Sequence, residues 1–166
     1  MTTTETAPVS NILDVKHLFL IQALRAAGSA KHPWPEYAAC EAALESAWGM
    51  SSLALKDCNL FGMKQKRHPI YGTAALPTRE FLHGHWVHIT ADFVVYPGWS
   101  ACFEDRVFTL RKLAPVYPHY AAALAARDGQ TYITEVSKSW STDPGRAHSV
   151  TVIHHVFFEE PETWGK

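Results

Sequence analysis

Apolar side chains recur at helical spacing near the start of the chain. Between residues 12 and 21 they form one broad face, the pattern of a helix with one side against a core. Ser10 just before them is a suitable N-cap, and Gly28 is a typical helix stop. We therefore predict a first helix over about residues 11–27, preceded by a flexible N-terminus at residues 1–10.

A second helix is predicted from Pro35 to about Ser46, because proline suits the first turn of a helix. It contains four alanines, which let neighbouring helices approach closely, so we expect this helix to be central and buried. It nevertheless carries three glutamates, Glu36, Glu41 and Glu45. Carboxylates are seldom fully buried without a partner, so their presence on such a helix is the first sign of chemistry.

The period of the pattern changes to two between residues 77 and 96. Strand-forming residues lie on both sides of His83-Gly84, which predicts a β-hairpin that turns at this pair. Further helices are predicted at about residues 101–113, 118–126, 130–139 and 143–158, the last one starting at Asp143-Pro144. Helices around one small β-lobe make an α+β architecture dominated by helix, and residues 11–160 would form its single domain.

Composition and charge narrow the function classes. The chain has 166 residues and a formal net charge of -1 at pH 7, which argues against a nucleic-acid binder. The N-terminus lacks the basic and apolar regions of a signal peptide, and the apolar stretch 18–27 is too short to span a bilayer. We expect a monomer that is made in the cytoplasm, without stable membrane insertion and without a cofactor.

His83, His85 and His88 form a candidate metal group, because residues 83 and 85 share one face of a strand. They fall on a predicted turn, however, and no further ligand completes a closed set, so we predict no metal site. The chain also contains no Gly-x-Ser-x-Gly motif and no glycine-rich phosphate loop. These absences argue against an esterase-type nucleophile and against phosphate chemistry.

Glu45 is the strongest candidate for acid chemistry. It ends the alanine-rich helix just before Trp48-Gly49, where burial would favour the neutral form of its carboxyl group. Glu41, one turn earlier, would add like charge that acts in the same direction. Taken alone, a glutamate at a helix end is more often a solvated surface residue, so the surrounding sequence has to decide.

Residues 42–49 read Ala-Ala-Leu-Glu-Ser-Ala-Trp-Gly, and residues 59–64 read Asn-Leu-Phe-Gly-Met-Lys. Together they resemble the glucosaminidase family of peptidoglycan hydrolases, glycoside hydrolase family 73. The resemblance implies a lysozyme-like helical domain with a small β-hairpin lobe. Less specific similarities follow in the family's order, at Glu80–Gly84, Phe93–Pro97, Phe103–Val107, Tyr117–Ala121 and Ser141–Pro144.

By this resemblance Glu45 is the catalytic general acid, and Glu80 matches the second acidic position, on the β-lobe. Glu80 would act as general base for water or would stabilise positive charge on the sugar ring. The alternative for Glu80 is an exposed strand residue beside Arg79. The family also allows the N-acetyl group of the substrate to act as the nucleophile, a choice that the sequence leaves open.

Five side chains are predicted to contact the glycan: Trp140, Trp86, Trp99, Asn59 and Tyr96. Aromatic rings offer flat apolar surfaces to sugars, although core packing is an equal alternative for Trp86 and Trp99. Asn59 either bonds the substrate or holds its own loop. Trp140 departs from the family, which usually has tyrosine there; an indole only donates a hydrogen bond, whereas a tyrosine hydroxyl also accepts one.

The resemblance implies hydrolysis of β-1,4 bonds in the glycan strands of peptidoglycan, as an endo-β-N-acetylglucosaminidase. It also suggests a phage-type endolysin that accumulates in the cytoplasm and reaches the wall after release, with an autolysin or an exported effector as alternatives. The rival activities are N-acetylmuramidase and lytic transglycosylase on the same fold. A non-catalytic glycan-binding or assembly module is the rival from another class.

Overall fold

The computed structural model describes residues 12–160, so the predicted flexible N-terminus lies outside the described residues. The helices in this range are α1 (Ile12–Ser29), α2 (Pro35–Glu45), α3 (Ser52–Asp57), α4 (Trp99–Leu113), α5 (Pro118–Leu124), α6 (Gly129–Trp140) and α7 (Arg146–His154), which a π-helical turn, His155–Glu159, continues. The strands are β1 (Gly72–Leu82) and β2 (His85–Val95). The predicted α+β class, dominated by helix with one small hairpin lobe, is confirmed.

Helix α2 lies in the core of the helical body. Its alanines have no exposed surface: Ala38, Ala39, Ala42 and Ala43. Alanine loses no side-chain entropy in a helix, and Pro35 occupies the first turn, where no hydrogen bond is lost. Small side chains let α1 and α7 pack against α2, so the predicted central, buried helix is confirmed.

A tight left-handed turn ends α2. Ala47, Trp48 and Gly49 all have positive φ angles, of 50°, 59° and 79°. Ser46 holds the turn, because its Oγ accepts a hydrogen bond from the Gly49 N–H at 2.8 Å. A side chain at position 49 would lie 3.0 Å from the ring of Phe19, so both the backbone angle and this close approach require glycine. The C-terminal end of α2 is thereby held in one place.

The β-hairpin turns at His83-Gly84, as predicted. Both residues have positive φ, 50° and 83°, which a two-residue type I′ turn requires. The predicted start of the lobe at residue 77 is wrong, because β1 begins at Gly72. Pro77 lies inside β1 opposite Thr90, and a two-stranded sheet tolerates it because both strands are edge strands.

Two other elements differ from the prediction. The six-residue helix α3 was not predicted, since it is too short for a periodic signal, although the Ser51 hydroxyl caps it. The last helix begins at Arg146 and not at Pro144. The reason is local: the Asp143 carboxylate accepts a hydrogen bond from the Gly145 N–H at 2.8 Å and forms a separate turn.

Four helices meet at one buried carboxylate. Oε1 of Glu41 in α2 accepts hydrogen bonds from Nη2 of Arg106 in α4 and from Nη2 of Arg146 in α7, both at 2.8 Å. Its Oε2 accepts one from the Tyr132 hydroxyl of α6, also at 2.8 Å. All four side chains are buried. Because buried charges persist only when they are paired, this cluster ties α2, α4, α6 and α7 together.

Two aromatic rings complete the surroundings of Arg106. Its guanidinium carbon lies 4.6 Å from the ring centre of Phe61 and 3.8 Å from that of Trp140, within the range of cation–π attraction. Its Nε and Nη1 have no hydrogen-bond partner within residues 12–160. Arg106 therefore depends on Glu41 and on the two rings for its stability in the core.

The two guanidinium groups set the charge state of this cluster. Burial alone would raise the pKa of Glu41, but Arg106 and Arg146 hold that pKa down at about 2. Burial also lowers the pKa of His32 to about 4, and His32 Nε2 lies 3.2 Å from the Tyr132 hydroxyl. At pH 7 the folded protein therefore holds an ionised Glu41 next to a neutral His32.

Glu41→Gln should lower the free energy of unfolding by about 3–5 kcal/mol at pH 7, because it leaves the buried Arg106 without a carboxylate and Arg146 with Glu45 alone. Urea unfolding followed by circular dichroism measures this change. Glu104→Gln in α4, at an exposed position, is the matched control and should change stability by less than about 0.5 kcal/mol. Equal stabilities for the two variants would contradict the role assigned to the cluster.

The free energy of unfolding of the native protein should fall as the pH drops from 6.5 toward 4. The pKa of His32 is 6.5 in its ordinary state and about 4 when folded, so the unfolded chain binds a proton here that the folded chain does not. At pH 5 the expected loss from His32 is about 2 kcal/mol. Unfolding titrations between pH 7 and pH 5 measure the slope.

His32→Gln should flatten this slope, because glutamine has no proton to take up over the range. The exposed His148 of α7 provides the control, and His148→Gln should keep the native slope. An unchanged slope in His32→Gln would mean that another group carries the pH dependence.

Candidate active site

Glu45 lies at the C-terminal end of α2 with its carboxylate partly open to solvent. Its side chain is 25% exposed, and Oε1 accepts a hydrogen bond from Nε of Arg146 at 2.8 Å. No group among residues 12–160 donates a hydrogen bond to Oε2. One oxygen is therefore held, while the other is available to an incoming group.

The buried carboxyl group of α2 belongs to Glu41 and not to Glu45. The expectation that Glu45 has dry, like-charged surroundings is wrong in this structure, for two physical reasons. Arg106 and Arg146 balance the charge of Glu41, and Glu45 itself faces the guanidinium of Arg146. Glu45 is therefore partly open to solvent and in contact with a guanidinium group, and it does not lie in a dry site.

Arg146 connects Glu45 to the core. It is the first residue of α7, and each of its three side-chain nitrogens donates to a different residue: Nε to Glu45, Nη2 to Glu41 and Nη1 to Ser137 Oγ at 2.9 Å. Sequence reasoning missed this residue, because its acidic partners lie 101 and 105 residues earlier in the chain. The one local signal for Arg146 was its position two residues after Asp143-Pro144, the predicted start of the last helix.

Glu80 lies on the half-buried face of β1. Residues 74, 76, 78 and 80 are half-buried, and the residues between them are exposed. The Glu80 carboxylate forms an ion pair with Lys64. Arg79, next to it in sequence, points to the other face, where its guanidinium lies 5.4 Å from the ring centre of Trp86. Glu80 is thus a paired carboxylate on the inner side of the hairpin.

This half-buried face meets the start of α3 across a cavity of about 370 Å³, within the range of small-molecule sites, roughly 300–1,000 Å³. The hairpin and the α3 region line it together: Leu76, Pro77, Thr78 and Phe93 on one side, and Ser51, Ser52 and Leu53 on the other. Glu80 follows Thr78 on the same face, and Glu45 precedes Ser51 by one short turn. The cavity is thus lined by residues close in sequence to both predicted catalytic carboxylates, but neither Glu45 nor Glu80 lines it.

Trp86 faces away from Glu80. It is 60% exposed and pairs with Phe81 across the strands, with ring centres 5.4 Å apart. Glu80 pairs with Val87, the next residue along. Because successive residues of a strand point to opposite faces, one face of the hairpin cannot present both Glu80 and Trp86 to a glycan. Trp86 is therefore not placed to contact a glycan in the same cleft as Glu80, which corrects the prediction for that cleft.

Trp140 ends α6 and is half-buried. One side of its ring lies against the Arg106 guanidinium. It also lines a cavity of about 720 Å³ whose wall is rich in hydroxyl groups, from Thr134, Ser137, Ser139, Ser141 and Thr142. An aromatic ring beside hydroxyl groups suits a sugar, so the predicted substrate contact of Trp140 stays a prediction that this position supports.

The other three predicted contacts support the fold. The Trp99 ring packs 5.1 Å from that of Phe19. Buried Asn59 uses both of its donor hydrogens and its oxygen on backbone groups of its own loop and of β2. Buried Tyr96 donates its hydroxyl to Asp105 at 2.5 Å, and burial raises the pKa of Tyr96. Asn59 therefore holds its own loop, the second of its two predicted roles. Tyr96 is 3% exposed, so its position gives no support to the predicted contact with a substrate.

The predicted lack of a metal site can be compared only with the described part of the chain. Among residues 12–160 no group of three histidine, cysteine, aspartate or glutamate side chains is arranged to hold a metal ion. His83, His85 and His88 of the candidate metal group are exposed on the hairpin. No described helix is long and apolar enough to cross a membrane.

Comparison with known proteins places these features in a family. Residues 21–155 match the sequence model of the glucosaminidase family, described as mannosyl-glycoprotein endo-beta-N-acetylglucosaminidase. Two curated relatives, both named probable N-acetylmuramidase, come from Lactococcus lactis subsp. lactis and subsp. cremoris; each is 30% identical over 124 residues, or 72% of this chain. The match covers 28% of the length of these relatives.

Solved structures share the fold at low identity. The catalytic domain of the autolysin Auto from Listeria monocytogenes aligns with a TM-score of 0.73 and 21% identity, over 96% of this chain and 90% of that domain. The glycoside hydrolase domain of Salmonella typhimurium FlgJ aligns with a TM-score of 0.68 and 22% identity, over 89% and 91%. With the lysozyme-like fold confirmed and the family model covering most of the sequence, this chain belongs to the glucosaminidase family of glycoside hydrolases.

Proposed function

We propose that this chain hydrolyses β-1,4 bonds in the glycan strands of peptidoglycan, with Glu45 as the general acid. The observation that carries the proposal is the state of the Glu45 carboxyl group. It ends a buried helix, Arg146 donates a hydrogen bond to one of its oxygens, and the other oxygen accepts none from residues 12–160. A general acid needs an oxygen that carries a proton within hydrogen-bond reach of the leaving group, and this second oxygen is available for that role.

The proposed reaction uses the two carboxylates in different roles. Glu45 would give a proton to the glycosidic oxygen, and the bond between that oxygen and the anomeric carbon would break. Glu80, ion-paired with Lys64 on the inner face of the hairpin, would take a proton from the attacking water or stabilise the positive sugar ring. The cavity between the hairpin and α3 offers room for part of the glycan.

The family match supports a proposal for the bond that is cut. A model named for an endo-beta-N-acetylglucosaminidase covers residues 21–155, so we propose cleavage after N-acetylglucosamine. The relatives from Lactococcus lactis, named probable N-acetylmuramidases, favour cleavage after N-acetylmuramic acid as the second candidate. Action on the wall as a monomer, after release from the cytoplasm as in a phage-type endolysin, remains a prediction from the sequence.

Glu45→Gln should reduce the release of reducing ends from purified peptidoglycan by about 10²–10⁴-fold, the usual contribution of a general acid. Glutamine keeps the shape of the side chain and one acceptor for Arg146, so the protein should still fold. Glu104→Gln, at an exposed position of α4, should retain the native rate. A Glu45→Gln protein that releases reducing ends at the native rate would exclude Glu45 as the acid.

The variant Glu80→Gln distinguishes hydrolysis by two carboxylates from a lytic transglycosylase reaction, which needs a single acid. A mechanism with two carboxylates should lose most of its activity, by about 10²-fold or more, because water or the sugar cation loses its partner. Arg79→Gln, on the opposite face of the same strand, is the matched control and should change the rate little. If Glu80→Gln keeps most of its rate and forms anhydro-sugar ends, the single-acid transglycosylase reading replaces the proposal.

A further inference from the structure

The outer face of the hairpin presents an aromatic pair that the proposed reaction does not use. Phe81 and Trp86 lie opposite each other on β1 and β2, and they are 59% and 60% exposed. Arg79 and His88, the next pair on this face, are also exposed. These four side chains are called the outer surface below. We propose that the outer surface docks on the negatively charged surface of a lipid bilayer.

This inference goes beyond the proposed function and does not depend on it. Glu80 lies on the opposite face of the hairpin, so a bilayer on the outer surface would leave the inner face open to a glycan. The docking is peripheral: aromatic side chains enter the headgroup region, and no segment has to cross the bilayer.

The hairpin reaches away from the helical body. Its two strands pack mainly against each other, and Phe93 and Val94, near the end of β2, are the only strand residues that are buried. Trp86 lies roughly 20 Å from Phe93 along the extended strand, in the direction of the turn. No described residue covers Trp86 or Phe81, so both rings are accessible to a partner.

The two rings form one continuous apolar patch. Their centres are 5.4 Å apart, and their planes meet at 63°. Single exposed apolar side chains are common on protein surfaces, whereas contiguous ones mark sites of interaction. The indole of Trp86 combines an apolar ring with a polar N–H, and such side chains are enriched at the boundary between lipid and water.

The charge of the outer surface suits an anionic partner. The guanidinium of Arg79 lies 5.4 Å from the ring centre of Trp86 and forms no ion pair with a carboxylate of residues 12–160. His88 carries no negative charge in either protonation state. Glu80 is ion-paired on the other face, and the next acidic residue of β2, Asp92, lies roughly 20 Å from Trp86 along the strand.

A glycan strand fits the outer surface less well than a bilayer does. Sites for polar ligands are concave and place several polar groups against the ligand. The outer surface offers one guanidinium and one imidazole, with no carboxylate or amide side chain to accept hydrogen bonds from sugar hydroxyls. An aromatic pair beside a cation matches the headgroup region, where basic side chains meet lipid phosphates and rings meet acyl chains.

Co-sedimentation of the full chain with lipid vesicles tests the inference. Vesicles of equal parts phosphatidylglycerol and phosphatidylcholine should bind the native protein at least about fivefold more tightly than vesicles of phosphatidylcholine alone. The reason is that one basic side chain near an anionic membrane surface favours binding by about this factor. A native protein that does not sediment with the anionic vesicles would overturn the inference.

The double variant Phe81→Ala/Trp86→Ala should bind the anionic vesicles at least about tenfold more weakly, because it removes most of the apolar contact. Val116→Ala is the matched control: Val116 is 72% exposed between α4 and α5, and its loss should leave vesicle binding at the native level. Circular dichroism shows whether each variant is folded, and Trp86→Ala alone replaces the double variant if that protein does not fold. Native binding by the folded aromatic variant would contradict the proposed docking.

Purified peptidoglycan is the second partner in the test. It contains no lipid, so the double variant should sediment with it as the native protein does, and Arg79→Gln remains a valid control for rates measured on it. If the double variant loses binding to peptidoglycan and keeps binding to vesicles, the outer surface binds glycan and the inference is wrong.

The proposed function fails in a different way. Vesicle binding requires no bond cleavage, so Glu45→Gln should bind the anionic vesicles as the native protein does. A native protein that binds these vesicles through Phe81 and Trp86 but releases no reducing ends from peptidoglycan would contradict the proposed function and support the docking surface.

Discussion

The structure depends on one carboxylate shared between two buried arginines. An isolated charge inside a protein is strongly unfavourable, and removal of one partner of a buried pair typically costs 3–5 kcal/mol. Glu41 meets this requirement with one oxygen for Arg106 and Arg146 together and the other for Tyr132. These residues come from α2, α4, α6 and α7. The packing of the four helices therefore depends on an ionised Glu41, and an ionised Glu41 depends on the partners that these helices supply.

The same cluster reaches the candidate active site through Arg146. Two of the three nitrogens of its guanidinium belong to the core, and the third belongs to Glu45. Two features therefore hold Glu45, the proposed acid. It ends the buried helix α2, and it contacts Arg146, whose other two nitrogens are bound in the core. Glu80 differs in this respect, because a two-stranded hairpin and an ion pair with the half-exposed Lys64 hold it. Glu45 thus belongs to the helical body, and Glu80 belongs to the hairpin lobe.

Much of this could be predicted from local sequence, but the contacts within the site could not. Period and capping predicted most helices, the His83-Gly84 turn and the buried α2, and the motif around Glu45 identified the family. The role of Arg146 could not be predicted, because the carboxylates that it contacts lie more than a hundred residues earlier in the chain. The choice between the two predicted roles of Asn59 depended on hydrogen bonds to distant backbone groups. The face on which Trp86 lies depended on the strand register, although the alternation of strand residues already separates Trp86 from Glu80.

Digestion of purified peptidoglycan, followed by reduction and mass spectrometry of the fragments, shows whether this chain cleaves glycan strands and at which bond. Cleavage after N-acetylglucosamine gives new chain ends of reduced N-acetylglucosamine, which is the result we expect. Reduced N-acetylmuramic acid ends would keep the enzyme and change the bond. If a folded preparation of the native chain forms no new ends over the pH range from 4 to 8, the claim that this cluster of carboxylates and arginines serves glycan hydrolysis is contradicted.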